Sequence, residues 1–344
     1  MEKILVALSG GVDSAVTVHL LQEAGYEVYG YTFLTCGAPE DRTAVAADAK
    51  LVADFFKIPH QVEDIKEEFE DEVLSYFIDE YAQGRTPNPC VYCNRHMKFP
   101  KLLAAADALG ITKVATGHYV RIQDGLLQRA ADSRKDQSYV LCQLRQEDIG
   151  RLVFPLGEYT KGQIREIAAK IGLPVAHKGD SQEICFIPQD DYAAVMRQYP
   201  HKFQPGNFLD KEGNILGQHK GLPFYTKGQR RGIGIAFGYP MYVTGLDLTA
   251  NAVYLGEEAE LYSQAFTVEQ MNYLLPGKES SSEFAATVKI RYLSEAEPCV
   301  VRPQGDSQAE VRLDRQQKSV TPGQYAVFYE GDVLIGGGVI CCPT

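Results

Sequence analysis

Ser9-Gly10-Gly11-Val12-Asp13-Ser14 is the stretch from which the rest of the chain is read. The apolar run Ile4-Leu5-Val6-Ala7-Leu8 precedes it, and Ala15-Val16-Thr17-Val18-His19-Leu20-Leu21 follows. That order predicts a buried strand, a tight loop and a helix. Two adjacent glycines let the backbone approach a ligand closely, and the first N–H groups of the helix point into the loop, which makes an anion site. The loop is not a Walker A loop, since the phosphate-reaching Lys and the wider glycine spacing are both missing. The plainer reading is a strand-to-helix turn capped by Asp13 or Ser14.

Composition places few limits on that choice. A chain of 344 residues suggests about two to three domains. Its 45% hydrophobic and 23% charged content is that of an ordinary soluble protein. No apolar run approaches the roughly 18 residues of a membrane span. Met1-Glu2-Lys3 leads straight into a strand and leaves no room for a leader, so the expected compartment is the cytoplasm and no membrane partner is expected. Eight cysteines are too sparse for a disulfide scaffold and argue for chemistry or metal. The net charge of −11 weighs against indiscriminate nucleic-acid binding. Yet residues 81–106 contain no Asp or Glu and carry Arg85, Arg95, Lys98 and Lys101, and residues 213–246 are again acid-free with Lys220, Lys227, Arg230 and Arg231. Two such windows suggest a local phosphate-binding surface on an acidic body.

Beyond the first helix, residues 27–33 read as a second strand, 41–56 as a helix and 58–62 as a third strand, and Phe69, Val73, Phe77 and Tyr81 mark another helix. Residues 101–109 are helical, 112–116 form the next strand, and Thr160 caps a helix running to Lys170. Strands alternating with helices predict an α/β domain with a parallel sheet, whose ligands bind beyond the carboxyl ends of the strands. From about Phe203 the texture changes to short alternating runs separated by Gly, Pro, Asn and Asp, including 284–292, 299–302, 309–313, 326–329 and 333–340. This predicts an all-β region ending in a small barrel, with a seam between 257 and 266.

Thr86-Pro87-Asn88-Pro89-Cys90-Val91-Tyr92-Cys93-Asn94 is the second informative stretch. Its prolines predict a rigid extended loop presenting Cys90 and Cys93. A third cysteine, Cys185, stands in the turn Gly179-Asp180-Ser181-Gln182-Glu183-Ile184-Cys185-Phe186. Three readings stay open on residue chemistry alone. Cys90, Cys93, His96 and Cys185 could bind structural zinc. Cys90, Cys93 and Cys185 could hold an iron–sulfur cluster with one open iron. Otherwise one cysteine carries sulfur as a persulfide and another resolves it. Cys36, Cys142, Cys299, Cys341 and Cys342 read as apolar fillers or tail residues.

The opening six residues resemble the PP-loop of enzymes that cleave ATP between the α and β phosphates. After them come the Thr86–Asn94 stretch, Gly117-His118-Tyr119-Val120-Arg121, Lys135-Asp136-Gln137-Ser138-Tyr139 and the turn before Cys185. Thr226-Lys227-Gly228-Gln229-Arg230-Arg231-Gly232, Arg291-Tyr292, Pro322-Gly323-Gln324 and Gly336-Gly337-Gly338 complete the series. Together they resemble the bacterial tRNA-specific 2-thiouridylases from one end of the chain to the other.

The resemblance implies a PP-loop ATPase domain over residues 1–200, a small β module over 201–262 and a tRNA-contacting C-terminal β-barrel over 263–344. It implies ATP-dependent thiolation of the wobble uridine of tRNA at C2, with ATP adenylating O2, a persulfide sulfur attacking C2, and a sulfur-donor protein as second partner. By resemblance Ala7, Leu8, Ser9, Gly10, Gly11, Val12, Asp13, Ser14, Phe33 and Gly117 bind ATP, with Asp13 helping to hold Mg2+ or capping the helix. Cys185 carries the persulfide, and Cys93 is its nucleophilic partner, able to close a disulfide with it. Asn88, Pro89 and Cys90 contact the target base, while His118, Lys135, Asp136, Gln137, Arg291, Tyr292 and Gln324 contact tRNA. Arg230, in the second acid-free window, joins that footprint. Two positions depart from the family. Cys90 stands where many members carry an acid–base Asp, which leaves a role as acid–base group or as iron ligand open, and Glu183 replaces a common glycine. The rival functions are another PP-loop adenylating synthetase and a non-catalytic, zinc-containing RNA-binding protein.

Overall fold

The computed structural model describes residues 1–179, 184–187, 191–199, 203–305 and 307–343. Glu183 lies outside them, and so does the side chain of Cys342. The chain divides into two compact units, one formed by 1–73, 90–186 and 332–334, the other by 74–89, 187–331 and 335–344.

The first unit opens with β1 (Lys3–Ala7), α1 (Val12–Glu23), β2 (Glu27–Leu34), α2 (Pro39–Phe56) and β3 (His60–Asp64). α3 (Lys66–Phe69) passes through a π-helical turn, Glu70–Leu74, into α4 (Ser75–Ala82), which belongs to the second unit. The next helical stretch is continuous from α5 (Pro89–Cys93) through a second π turn (Asn94–Lys98) to α6 (Phe99–Ala108). It is followed by β4 (Lys113–Ala115), the hairpin β5 (Val120–Gln123) and β6 (Leu126–Arg129), β7 (Leu152–Val153) and α7 (Lys161–Lys170). Five strands form a parallel sheet in the order β3-β2-β1-β4-β7, as the alternation predicts.

α1 is buried on almost every side because it sits inside that unit: Val12, Ala15, Val16, Val18 and Leu21 share a core with Ile4 and Val6 of β1, Ala49, Val52 and Ala53 of α2, and Ile164 and Ala168 of α7. Leu5 points to the opposite face by strand alternation, where α6 contacts β1 and β4. α7 begins as expected. Thr160 Oγ1 accepts from Gln163 N and the Gln163 side chain accepts from Thr160 N, a complete capping box.

In the second unit α8 (Tyr192–Met196) precedes a four-stranded sheet of β8 (Gly206–Leu209), β9 (Ile215–His219), β10 (Tyr242–Asp247) and β11 (Ala252–Gly256), ordered β10-β11-β8-β9. Phe208, Leu222, Tyr225, Val243 and Val253 form its core. A 3-10 turn, Glu258–Leu261, then leads into β12 (Tyr262–Tyr273), β13 (Phe284–Lys289), β14 (Glu297–Gln304), β15 (Gln308–Lys318), β16 (Tyr325–Glu330) and β17 (Val333–Pro343). These six strands close into a barrel, because β17 pairs back with β12. Its core contains Phe266, Val288, Val301, Val311, Leu313, Phe328 and Ile340.

The extended loop expected around Cys90 and Cys93 is a correction. Residues 85–88 have no regular structure, but Pro89 begins α5, where its fixed φ suits the first helical turn and its missing N–H costs nothing. Cys90 and Cys93 therefore stand one helical turn apart, on neighbouring positions of one face.

Phe328 is fully buried in the barrel, so Phe328→Ala should cost about 3–5 kcal/mol of stability. The chain has no tryptophan, so denaturant unfolding would be followed by tyrosine emission and far-UV circular dichroism. A loss below about 1 kcal/mol would be inconsistent with a packed barrel core.

Candidate active site

The loop between β1 and α1 has the geometry of an anion cradle. Gly10 has φ +69°, and a Cβ there would lie 2.6 Å from Asp48 Cβ, so both conformation and space require glycine. Gly11 is the N-cap of α1 with no side-chain cap, which leaves the first helical N–H groups pointing outward. Ser9 N donates to Ser14 Oγ at 3.2 Å, and Ser14 Oγ donates to Gly11 O at 3.1 Å. Gly117, at the carboxyl end of β4, packs on the start of the helix: a Cβ there would lie 3.1 Å from Ser14 N.

Neither Asp13 nor Ser14 caps the helix. The Asp13 carboxylate instead accepts hydrogen bonds from Tyr119 Oη at 2.8 Å and from Lys161 Nζ at 2.7 and 2.8 Å. Magnesium was expected here, but both Asp13 oxygens already face an ammonium group, so the donor set does not fit a metal in this arrangement. Lys161 was missed in the sequence because it reads only as the first residue of a capped helix. Lys178 is a second omission. Its Nζ lies 2.5 Å from Asp48 Oδ2 and 3.4 Å from Gly10 O, against the glycine turn. Phe33, near the end of β2, packs edge-on against Tyr31 with ring centres 5.1 Å apart.

Thiols converge on the same carboxyl edge of the sheet. Cys93, Cys36, Tyr92, Phe33 and Phe186 pack around Ile65, Phe69, Val73 and Met97. Cys90 is exposed as a residue, yet surrounding atoms shield its sulfur and push the thiol up, partly offset by Lys98. Cys93 is pushed up by the same shielding, again opposed by Lys98. Cys185 is exposed in its turn, and Cys36 donates to its carbonyl oxygen at 3.2 Å. The hydrogen bond between the two side chains draws Cys36 down to about 7, against burial, with help from Thr35. That bond, followed by burial, pushes Cys185 up. Cys36 packs on the apolar cluster and also donates to Cys185 O, whereas Cys142 and Cys299 are buried as expected.

Among the described residues no three His, Cys, Asp or Glu side chains are grouped so as to hold a metal ion. Cys90, Cys93 and Cys185 therefore do not fit an iron–sulfur triad here, nor a zinc site with His96, which stacks on Tyr92 with ring centres 4.2 Å apart.

The other expected contacts divide into inward-facing and outward-facing groups. Asp136 is buried: Oδ1 accepts from Ala130 N and Ser138 N, and Oδ2 accepts from Ser138 Oγ. Gln137 Oε1 accepts from Tyr119 N at 2.9 Å, so both residues brace the loop that carries Gly117. The neighbouring Lys135 is partly exposed. His118 bonds Thr116 Oγ1 through Nδ1 at 2.7 Å and stacks on Phe99, and burial pushes it down to about 3, a neutral imidazole. In the second unit Gln324 Nε2 donates to Thr86 O at 2.8 Å, and Thr86 N donates to Pro322 O at 2.8 Å, which pins the segment leading to Asn88 and Pro89. Gly323, at φ +90°, permits that approach, since a Cβ would lie 2.7 Å from Thr86 N. Arg230 is exposed beside a cavity of about 330 Å³ lined by Ile233, Phe237 and Tyr239. Arg291 is also exposed, with Nη2 3.3 Å from Lys318 O, and Lys289 lies over the Tyr292 ring.

Because the thiolate is the reactive form, Cys36 should alkylate with a midpoint near pH 7, whereas Cys90, Cys93 and Cys185 should need more alkaline solution. Peptide mapping after timed alkylation reads this order, and Cys36 reacting last would contradict the described contacts.

Comparison with known proteins agrees along the whole chain. Residues 2–189 match the model of the tRNA methyl transferase HUP domain, 195–257 the tRNA methyl transferase PRC-barrel domain, and 263–340 the aminomethyltransferase beta-barrel domain. The tRNA-specific 2-thiouridylase MnmA 1 of Caldanaerobacter subterraneus subsp. tengcongensis is 44% identical over 355 residues, covering 98% of this chain and 97% of that one. The tRNA-specific 2-thiouridylase MnmA of Heliobacterium modesticaldum is 47% identical over 357 residues, covering 98% and 92%. Its namesake from Carboxydothermus hydrogenoformans is 44% identical over 356 residues, covering 98% and 97%. With relatives of 44–47% identity matching over nearly its full length, the chain belongs to the tRNA-specific 2-thiouridylase family.

Proposed function

We propose that this protein is an ATP-dependent tRNA sulfurtransferase of the cytoplasm that replaces the C2 oxygen of the wobble uridine by sulfur. The observation that carries this reading is the convergence of Cys36, Cys93 and Cys185 on the sheet edge that also bears the glycine loop. A phosphate cradle and a set of sulfur nucleophiles on one edge suit a reaction that activates an oxygen and then displaces it.

The residues divide the work as follows. Backbone N–H groups of the loop from Ala7 to Ser14 hold the phosphates of ATP, and Gly117 lets the β4 end approach them. Lys161, held by Asp13, supplies positive charge beside the loop. Attack of the uridine O2 on the α phosphate releases pyrophosphate and leaves O2 as an adenylate, so that AMP becomes the leaving group. The terminal sulfur of a persulfide on Cys185, delivered by a sulfur-donor protein, attacks C2. Cys93 thiolate then attacks Cys185 Sγ. The bond between Cys185 and the transferred sulfur breaks, that sulfur stays on C2 as AMP departs, and a Cys93–Cys185 disulfide remains. Asn88, Pro89 and Cys90 meet the base. Lys135, Arg230, Arg291 and Tyr292 contact tRNA as exposed or partly exposed residues, and Asp136, Gln137, His118 and Gln324 brace the segments of their own units that carry further tRNA contacts.

The decisive experiment incubates tRNA with ATP and a persulfide donor and weighs the nucleosides. One uridine should exchange an oxygen for sulfur, and AMP should form in equal amount. Asp13→Ala should lower AMP formation about a hundredfold, the effect of losing one preorganised charged contact worth about 3 kcal/mol. Full ATP cleavage by that variant would remove the loop from the mechanism. For RNA, Arg230→Ala and Arg291→Ala should each weaken tRNA binding and reduce the salt slope by about one, with ATP binding unchanged. An unchanged slope would take that arginine out of the footprint.

A further inference from the structure

We propose that Cys36 is a third working thiol of this site, which takes Cys185 from the Cys93–Cys185 disulfide and returns Cys93 for the next cycle. The inference rests on the persulfide route above and extends it to the step that resets the enzyme. Cys36 stands just beyond the carboxyl end of β2, and its Sγ lies 3.2 Å from the Cys185 carbonyl oxygen. Cys36 Sγ is thus held against the Cys185 backbone by a hydrogen bond, a contact that Cys93 is not seen to make among the described residues. Cys36 and Cys93 in turn pack on one apolar cluster together with Phe186, the residue after Cys185. Cys36 therefore touches both neighbours, the Cys185 backbone by its hydrogen bond and the Cys93 cluster by apolar packing, with Cys185 itself exposed.

The step balances without an added oxidant. Cys36 thiolate attacks Cys185 Sγ. A Cys36–Cys185 bond forms as the Cys93–Cys185 bond breaks, and Cys93 leaves with the electron pair as a thiolate. The proton released by Cys36 passes to Cys93 or to solvent, and one disulfide exists before and after. The new disulfide includes the exposed Cys185, so a small external dithiol can reach it. That dithiol is oxidised to its own disulfide and restores both thiols. Cys93 is meanwhile free, although its own surroundings shield it.

The test uses full-length protein equilibrated natively in a glutathione redox buffer, quenched in acid, alkylated and digested without reduction. The wild type should yield a Cys36–Cys185 linked peptide as the dominant disulfide, and Cys36→Ser should accumulate Cys93–Cys185 instead. In Cys36→Ser, a single round of thiolation should persist while repeated turnover with dithiothreitol falls several-fold. Cys142→Ser, at a buried thiol outside the cluster, should behave as wild type. Full alkylation of Cys36 in the wild type while Cys93–Cys185 accumulates would overturn the inference, and this reading depends on no variant folding. Loading of Cys185 from inorganic polysulfide is measured in parallel. Loading with Cys36 left unpaired rejects the role of Cys36 alone, whereas absence of loading rejects the persulfide route itself.

Discussion

Parallel pairing of β1 with β2 on one side and β4 on the other brings three chain segments out at the same edge of the sheet. Ala7 lies opposite Tyr31 and Val6 opposite Ala115, so the glycine loop, the Thr35–Cys36 turn and Gly117 emerge together. A slip of one residue would turn Ile4 and Val6 away from α1 and drive Leu5 into their place, which the fully buried faces forbid. Register is therefore fixed by packing, and packing in turn fixes where the reactive groups stand. The small distances in the site, such as Gly117 against Ser14 N, can exist only because the strands beneath them cannot shift.

The Lys161–Asp13 pair shows how charge is handled on that edge. The Lys161 side chain is 12% exposed and Asp13 34%, so both are partly removed from water and hold each other in a defined geometry. Such a pair adds little net stability, since desolvation offsets most of its attraction. Its value is positional. An ammonium group beside outward-facing helix N–H groups favours a polyphosphate, and the carboxylate keeps the long lysine side chain from wandering before the ligand arrives. Tyr119 Oη, donating to the same carboxylate, ties this arrangement to the loop braced by Gln137. Lys178, paired with Asp48 and against Gly10 O, repeats the pattern.

What could be read in the sequence was whatever is determined locally. The strand–loop–helix order, the capped α7, the parallel α/β pattern and the switch to short β runs all depend on neighbours within a few residues, and each appears in the fold. The Cys90–Cys93 segment was misread because proline favours both an extended strand and the first turn of a helix, and only the residues after it decide between them. The β5–β6 hairpin escaped notice because its strands have four residues each. Cys36 and Lys161 could not have been found locally. Cys36 meets Cys185 across 149 positions and Lys161 meets Asp13 across 148, and nothing in either flanking sequence marks the partner.

The basic windows teach the same lesson in electrostatics. Absence of acids along a stretch of sequence does not mean absence of acids in space. Lys101 is paired with Glu63 and Glu68, and Arg85 is paired with Glu80 and Glu269. Those cations neutralise local charge and cannot also release counterions from a nucleic acid. Arg95 and Lys98 remain in the first window, where Lys98 lies close enough to Cys90 and Cys93 to favour their thiolates. In the second window Arg230 and Arg231 are exposed on a loop-rich surface. A protein of net charge −11 can thus present a few exposed cations to phosphate while its remaining surface repels it. That division favours a polyanion held at defined points over one bound anywhere, as an enzyme that must select a single base requires.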